Sequence, residues 1–310
     1  MRESRFQIDT ATGRFTLPVV ILVCLILWAL TGKKWSDLES MAVIAMTGYL
    51  MIEANTAFTL IRTRSSFHVS IYFYLATALF FLHPFEWTNL LPLIFLMIVY
   101  QLFLSYESHT ATTSIFHAFF FTSVGSLIFP QFIYFVPLFL GSMVSFRSIS
   151  SKSILAGLMG LLTPYWLFFG YAFLFGKMPL FITPLQESIQ FYHIDYTKIL
   201  LQEWFSWGVI TILFIISGGH YLHVAYQDKT RTRIFLTFLV IAGAWTTIFC
   251  VLQPIHLHKL ILIQLVCTSF LSGHLFSLTR NRFSGIFFIV TFITIILLSA
   301  YNLWMQFFNF

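Results

Sequence analysis

A chain of 310 residues in which 58% are hydrophobic and only 9% charged lacks the polar surface of a water-soluble domain, where roughly 25% of residues carry charge. The formal charge of +6 comes from Lys and Arg in short loops of the sequence, which is no sign of nucleic-acid binding, and no nucleic-acid partner is expected. The bilayer is the expected solvent, and the lipid bilayer is the first partner the composition implies.

In chain order, apolar runs predict spans at about 15–30, 41–61, 67–82, 90–106, 114–129, 132–145, 154–175, 204–225, 234–252, 260–278 and 283–301. The expected fold is an all-α, polytopic transmembrane helical bundle of about 11 spans, forming a single integral membrane domain over 1–310. The run Phe15 to Leu30 is followed by Thr31-Gly32-Lys33-Lys34 and not by a small-residue cleavage site, so it reads as a span and not a signal peptide. With the N-terminus in the cytoplasm, Lys33, Lys34, Lys177, Lys198 and Lys259 fall outside. Every arginine, with Lys152 and Lys229, falls inside, which satisfies the positive-inside rule and puts the C-terminus outside.

Ser114 to Arg147 holds two short apolar runs that meet at Pro130-Gln131. The first, to Phe129, gives about 24 Å of helix against a hydrocarbon core of about 30 Å. A broken or re-entrant pair over 114–145 is expected, and non-helical backbone at that depth must be sheltered by protein. The other spans are therefore expected to wrap this pair. Downstream, Ser153/Gly157 and Ala156/Gly160 have the spacing of close helix contacts. In the long segment 176–203, Thr183-Pro184-Leu185-Gln186 has the pattern of a helix start. Leu185, Ile189 and Tyr192 then line one face, as in a helix lying on a membrane surface. Asp195 is placed to cap the next helix.

Two sets of polar residues are candidate sites. Within the membrane, Glu53 lies about 12 Å from the end of its span, where an ionised carboxylate is costly unless paired. Asn55 and Thr56 extend this polarity, and His117, on the central pair, is expected to face protein. On the outer face the candidates are Asp37, Glu39, Glu187 and Asp195. An enzyme that uses polyprenyl-phosphate sugars needs an outer carboxylate as base and cations for the phosphate, and Asp37 and Glu39 follow Lys33 and Lys34. His220 and His223 stand at i, i+3, without HExxH or a matching carboxylate. Cys24, Cys250 and Cys267 lack CxxC or Cys/His spacing. No metal and no cofactor is expected.

The segments SLIFPQFIYFVPLFLGSMVSFR (126–147) and GLMGLLTPYWLFFGYAF (157–173) resemble a family of uncharacterised multi-pass inner-membrane proteins of Bacteroidota, and SFLSGHLFSLTRNRFSGIFFIVTFITIIL (269–297) is similar to that family's C-terminal end. The resemblance implies a bacterial inner membrane and supplies no catalytic residues. In its richness in Phe, Leu and Tyr the chain also has a looser similarity to polytopic envelope-glycan enzymes. The function expected is handling of cell-envelope glycans or lipid-linked intermediates, with a polyprenyl- or glycolipid and other inner-membrane envelope proteins as partners. The alternatives are a non-catalytic scaffold of an envelope complex and a secondary transporter using Glu53.

Overall fold

A computed structural model describes residues 2–32, 34–63, 65–108, 111–191, 193–279 and 281–308; Lys33, Arg64, Tyr192 and Arg280 lie outside the described residues. The described chain is all-α. Its helices are α1 (Arg2–Thr12), α2 (Thr16–Thr31), α3 (Trp35–Phe58), α4 (Phe67–Ala78), α5 (Leu91–Leu104), α6 (Ala111–Ile128), α7 (Val136–Ser145), α8 (Ser151–Leu174), α9 (Met178–Ile189), α10 (Leu201–Val224), α11 (Thr230–Leu252), α12 (Leu257–Leu278) and α13 (Arg282–Phe308). All eleven segments expected as spans are helical. Among the described residues, eight helices are long and apolar enough to cross a membrane: α3, α5 with its leading turn from Trp87, α6, α8, and α10 to α13 with their flanking turns. α2 reaches that length only with α1, from which it is bent by 78°, while α4 and the segment Pro130–Ser145 are shorter.

The chain divides into two compact units, Met1–Asn89 with Ile194–Phe310, and Leu90–His193. In the first unit, α12 packs against α1, α4, α10 and α11, and from Leu260 through Ser277 every residue is buried. Gln264, Thr268, Ser269, Ser272, His274 and Ser277 give this helix polar groups on several faces, which lipid cannot satisfy and protein can. Two of its hydroxyls are satisfied within the helix: Thr268 Oγ1 donates to the Gln264 carbonyl at 2.8 Å and Ser272 Oγ to the Thr268 carbonyl at 2.7 Å. Trp207 Nε1 donates to Gln264 Oε1 at 2.8 Å, and Gln264 Nε2 to Thr211 Oγ1 at 2.9 Å, fixing α10 on α12. Gly273 lets α4 approach, since a Cβ there would stand 2.9 Å from the His68 Cα. α1 turns under this group and buries Gln7, whose Nε2 donates to the Phe276 carbonyl at 2.8 Å and the Thr279 carbonyl at 3.1 Å.

In the second unit α6 lies between α5 and α8. Gly160 sits against the Phe116 backbone and Gly157 against the Phe119 ring, so the small-residue spacing read in the sequence marks the contact of α6 with α8. The break expected at Pro130 is present. Phe129 is extended at φ −133, ψ 98, a 3-10 turn covers Pro130–Phe135, and α7 follows. Proline removes an amide donor and pushes the preceding residue out of the α region.

Two expectations are corrected. The arms of the pair are unequal, and protein covers only one face of the second. Phe132, Phe135 and Phe139 are buried in a ring cluster with Phe95, whereas Leu140 and Val144 are exposed. The helix enclosed on all sides is α12, not this pair. The surface helix is also longer than expected. α9 begins at Met178 with a proline in its first turn and runs through Pro184, so Thr183 is interior and not a cap.

Candidate functional site

α2 and α3 both pack on α4 and leave a cleft between them. Its polar end is built by the start of α3. Lys34 is extended, and its amide donates to Asp37 Oδ2 at 3.0 Å; Ser36 Oγ donates to Asp37 Oδ1 at 3.3 Å. The carboxylate at N3 thus takes an amide that no helical carbonyl reaches, and Asp37 is buried by it, at 7% exposure. Gly32 has an extended backbone that ends α2 and gives room for this turn.

The α2 wall is set by Trp28. Its indole stacks on the His83 imidazole, and its Nε1 donates to Thr77 Oγ1 at 3.3 Å. His83 Nε2 lies 2.9 Å from the Thr77 carbonyl and Nδ1 3.3 Å from Thr31 Oγ1. Nε2 must carry the proton toward the carbonyl, while the Thr31 hydroxyl donates to the Leu27 carbonyl at 2.7 Å. Burial holds this imidazole neutral and lowers its pKa to about 4, against the opposing pull of the Thr77 carbonyl and the Asp37 charge.

The upper part of the cleft has a volume of about 400 Å³ and is lined by Trp28, Gly32, Lys34, Trp35 and Asp37 among apolar neighbours. A lower part of about 150 Å³ is lined by Cys24, Ile44, Phe73 and Thr77. Leu25, Trp28 and Met41 line both, so the two form one groove, charged at one end and apolar along its length. Trp35 stands 83% exposed at the mouth. Leu25 and Phe73 line its apolar length, and Lys34 and Asp37 its charged end.

Of the residues read as candidates, only Asp37 lines this cleft. Glu39 is exposed beside it. Asp195 caps a 3-10 turn, its Oδ1 accepting the Thr197 amide at 3.0 Å. Glu187 lies in α9, in the second unit, where its carbonyl accepts from Gln131 Nε2 at 3.2 Å. Glu53 is half-buried in α3 and makes no hydrogen bond or ion pair among the described residues. Its expected companions serve the backbone instead: Asn55 Oδ1 accepts the Ile61 amide at 2.9 Å, and Thr56 Oγ1 donates to the Ile52 carbonyl at 2.9 Å. The expectation for His117 is corrected. Ile115, Ala118, Phe119 and Thr122 form the packed face of α6, and His117 lies off that stripe with its side chain exposed.

A second polar centre escaped the sequence reading. Asp228, between α10 and α11, places Oδ2 2.9 Å from His274 Nε2 and Oδ1 2.9 Å from Arg62 Nε. The Arg62 contact is an ion pair without aligned hydrogen-bond geometry. The Asp228 and His274 side chains are 1% and 2% exposed, Arg62 45%. Tyr221 meets the His274 ring edge-on at 5.1 Å. A lone acid among the cations of YQDKTRTR was the available signal, but its partners are far away in sequence.

Among the described residues no three His, Cys, Asp or Glu side chains gather as a metal site. Comparison with known protein families, with curated proteins and with solved structures finds no match.

Proposed function

We propose that the chain is an integral protein of a bacterial inner membrane, of the uncharacterised Bacteroidota family its sequence resembles, and that it binds a polyprenyl- or glycolipid intermediate of envelope assembly between α2 and α3. The observation that carries this reading is the continuous groove through Leu25, Trp28 and Met41, apolar along its length and charged at its head. Its volume falls in the range of small-molecule sites, roughly 300–1,000 Å³. Lys34 supplies a cation for a phosphate, Asp37 accepts hydroxyl or amine protons, and the exposed Trp35 indole offers a face for a sugar ring. Both Asp37 oxygens are already held by Lys34 and Ser36, so the reading is one of binding and presentation, with Asp37 as a recognition group.

The test is native mass spectrometry of the full chain purified in mild detergent from a Bacteroidota host. A bound lipid bearing a phosphate and a sugar is expected. Leu25→Trp, which fills the shared wall, and Lys34→Gln are expected to remove it while the protein stays folded. Equal retention of that lipid in both folded variants would sink the proposal.

A further inference from the structure

The loops that follow α3 and α10 meet in the first unit, away from the cleft. Thr59 ends α3 at φ 49, and its carbonyl accepts Thr232 Oγ1 at 3.3 Å. Arg62 Nη1 donates to the Gln227 carbonyl at 3.1 Å while Nε pairs with Asp228. Around this junction Lys229, Arg231 and Arg233 are exposed. Arg231 is not loose: its Cζ stands 5.7 Å from the Phe58 ring centroid and 5.4 Å from that of Phe235, a cation–π seat.

Among the described residues no carboxylate pairs with Lys229, Arg231 or Arg233. The one acid of this loop, Asp228, is turned inward and spent on Arg62 and His274. The patch therefore holds three uncompensated cations and a fourth, Arg62, compensated from inside only. Leu222 and Tyr226, beside it, are 55% and 73% exposed, the pairing of an apolar side chain and an amphipathic ring found at a membrane–water boundary.

We propose that this surface binds the phosphate of an anionic lipid headgroup. Arg231, held by its two rings, presents a guanidinium fork that matches phosphate geometry, and Lys229, Arg233 and the outer edge of Arg62 add charge. The general excess of basic residues at one membrane face does not by itself predict this. Arg147 is also a loop cation, yet it is neutralised by Glu107 Oε1 at 2.7 Å and should bind nothing.

The test uses the full chain in detergent, offered phosphatidylglycerol or phosphatidylcholine and read by native mass spectrometry. Phosphatidylglycerol is expected to be retained over phosphatidylcholine. Lys229→Gln, Arg231→Gln and Arg233→Gln are each expected to lower that retention about fivefold, the equivalent of ~1 kcal/mol per cation near a membrane surface. Arg147→Gln is expected to leave it unchanged. Lys229→Gln and Arg233→Gln change exposed side chains, so loss of the fold does not cloud those two readings. Equal retention of the two lipids, or an equal fall in Arg147→Gln, would overturn the site. Displacement of phosphatidylglycerol by inorganic phosphate at the same concentration would overturn the assignment to a lipid.

Discussion

The Trp28 indole lies flat on the His83 imidazole, with ring centroids 3.7 Å apart and planes 8° from parallel. The histidine is outside the helices and the tryptophan inside one, so the stack fastens the C-terminal turn of α2 to the segment that follows α4. Its Trp28 face lines the cleft, and burial keeps the imidazole neutral.

A pH dependence follows. Burial lowers the His83 pKa from 6.5 to about 4. Above pH 6.5 both folded and unfolded chains hold the ring neutral, and it imposes no penalty. As pH falls from 6.5 toward 4 the unfolded chain takes up a proton that the folded chain refuses, so stability declines through that window. The limit is about 3 kcal/mol, reached once pH is below the folded value. His83→Gln is expected to remove that slope. Thermal unfolding in detergent from pH 7 to 4, compared between the two proteins, isolates it; parallel profiles would refute the assignment.

Gln7 offers a second handle. Its amide donates to two carbonyls at the end of α12 and exchanges hydrogen bonds with Ser284 at the start of α13. Gln7→Ala leaves buried acceptors unmet and should destabilise by about 1–3 kcal/mol. Gln7→Glu should be worse at neutral pH, because a carboxylate has no proton to donate to those carbonyls. Hydrogen exchange over α1 is the direct measurement, with protection expected to fall first there.

Much of this architecture was legible because hydropathy marks apolar helices wherever they sit, and because Ser153/Gly157 and Ala156/Gly160 have the small-residue spacing of close helix contacts. What hydropathy cannot do is separate a face against lipid from a face against protein, since both are apolar. That is why α7, with Leu140 and Val144 outward, was expected to be sheltered, and why α12 passed as one span among many. The clue to α12 was its polar content. Gln264, Thr268 and Ser272 recur at i+4, and His274 adds a titratable group; such residues inside a membrane helix face protein. Asp37 was found as an acid beside lysines, but its capping role depends on the extended Lys34 backbone, which no composition announces. The Asp228–His274 pair spans 46 residues of sequence, and only the approach of α12 to the α10–α11 loop creates it.

The contact of α6 with α8 predicts a contrast within one helix. A Cβ on Gly160 would meet backbone atoms of Phe116 and Phe120, which cannot rotate away, whereas one on Gly170 meets nothing within 4 Å. Gly160→Ala should force the helices apart and destabilise by about 1–3 kcal/mol. Gly170→Ala should be neutral or stabilising by up to about 1 kcal/mol, from helix propensity alone. Thermal midpoints of the two variants in one detergent decide it; equal midpoints would show that α6 and α8 do not approach as described.

The Asp228 centre should respond in a fixed order of severity. The Asp228 side chain is 1% exposed and serves two partners, His274 and Arg62, so Asp228→Ala strands His274 in the interior and frees Arg62. Leaving a buried hydrogen-bonding partner unsatisfied costs about 1–3 kcal/mol. His274→Ala leaves Asp228 still paired with Arg62 and should cost less. Arg62→Ala should cost least, because its side chain is 45% exposed and water screens and replaces the contact. If the three act as one network, Asp228→Ala combined with His274→Ala should destabilise by clearly less than the two single losses added together. Additive losses would mean that Asp228 and His274 are neighbours without being partners, and the hydrogen bond at 2.9 Å would then contribute nothing to the stability of the folded chain.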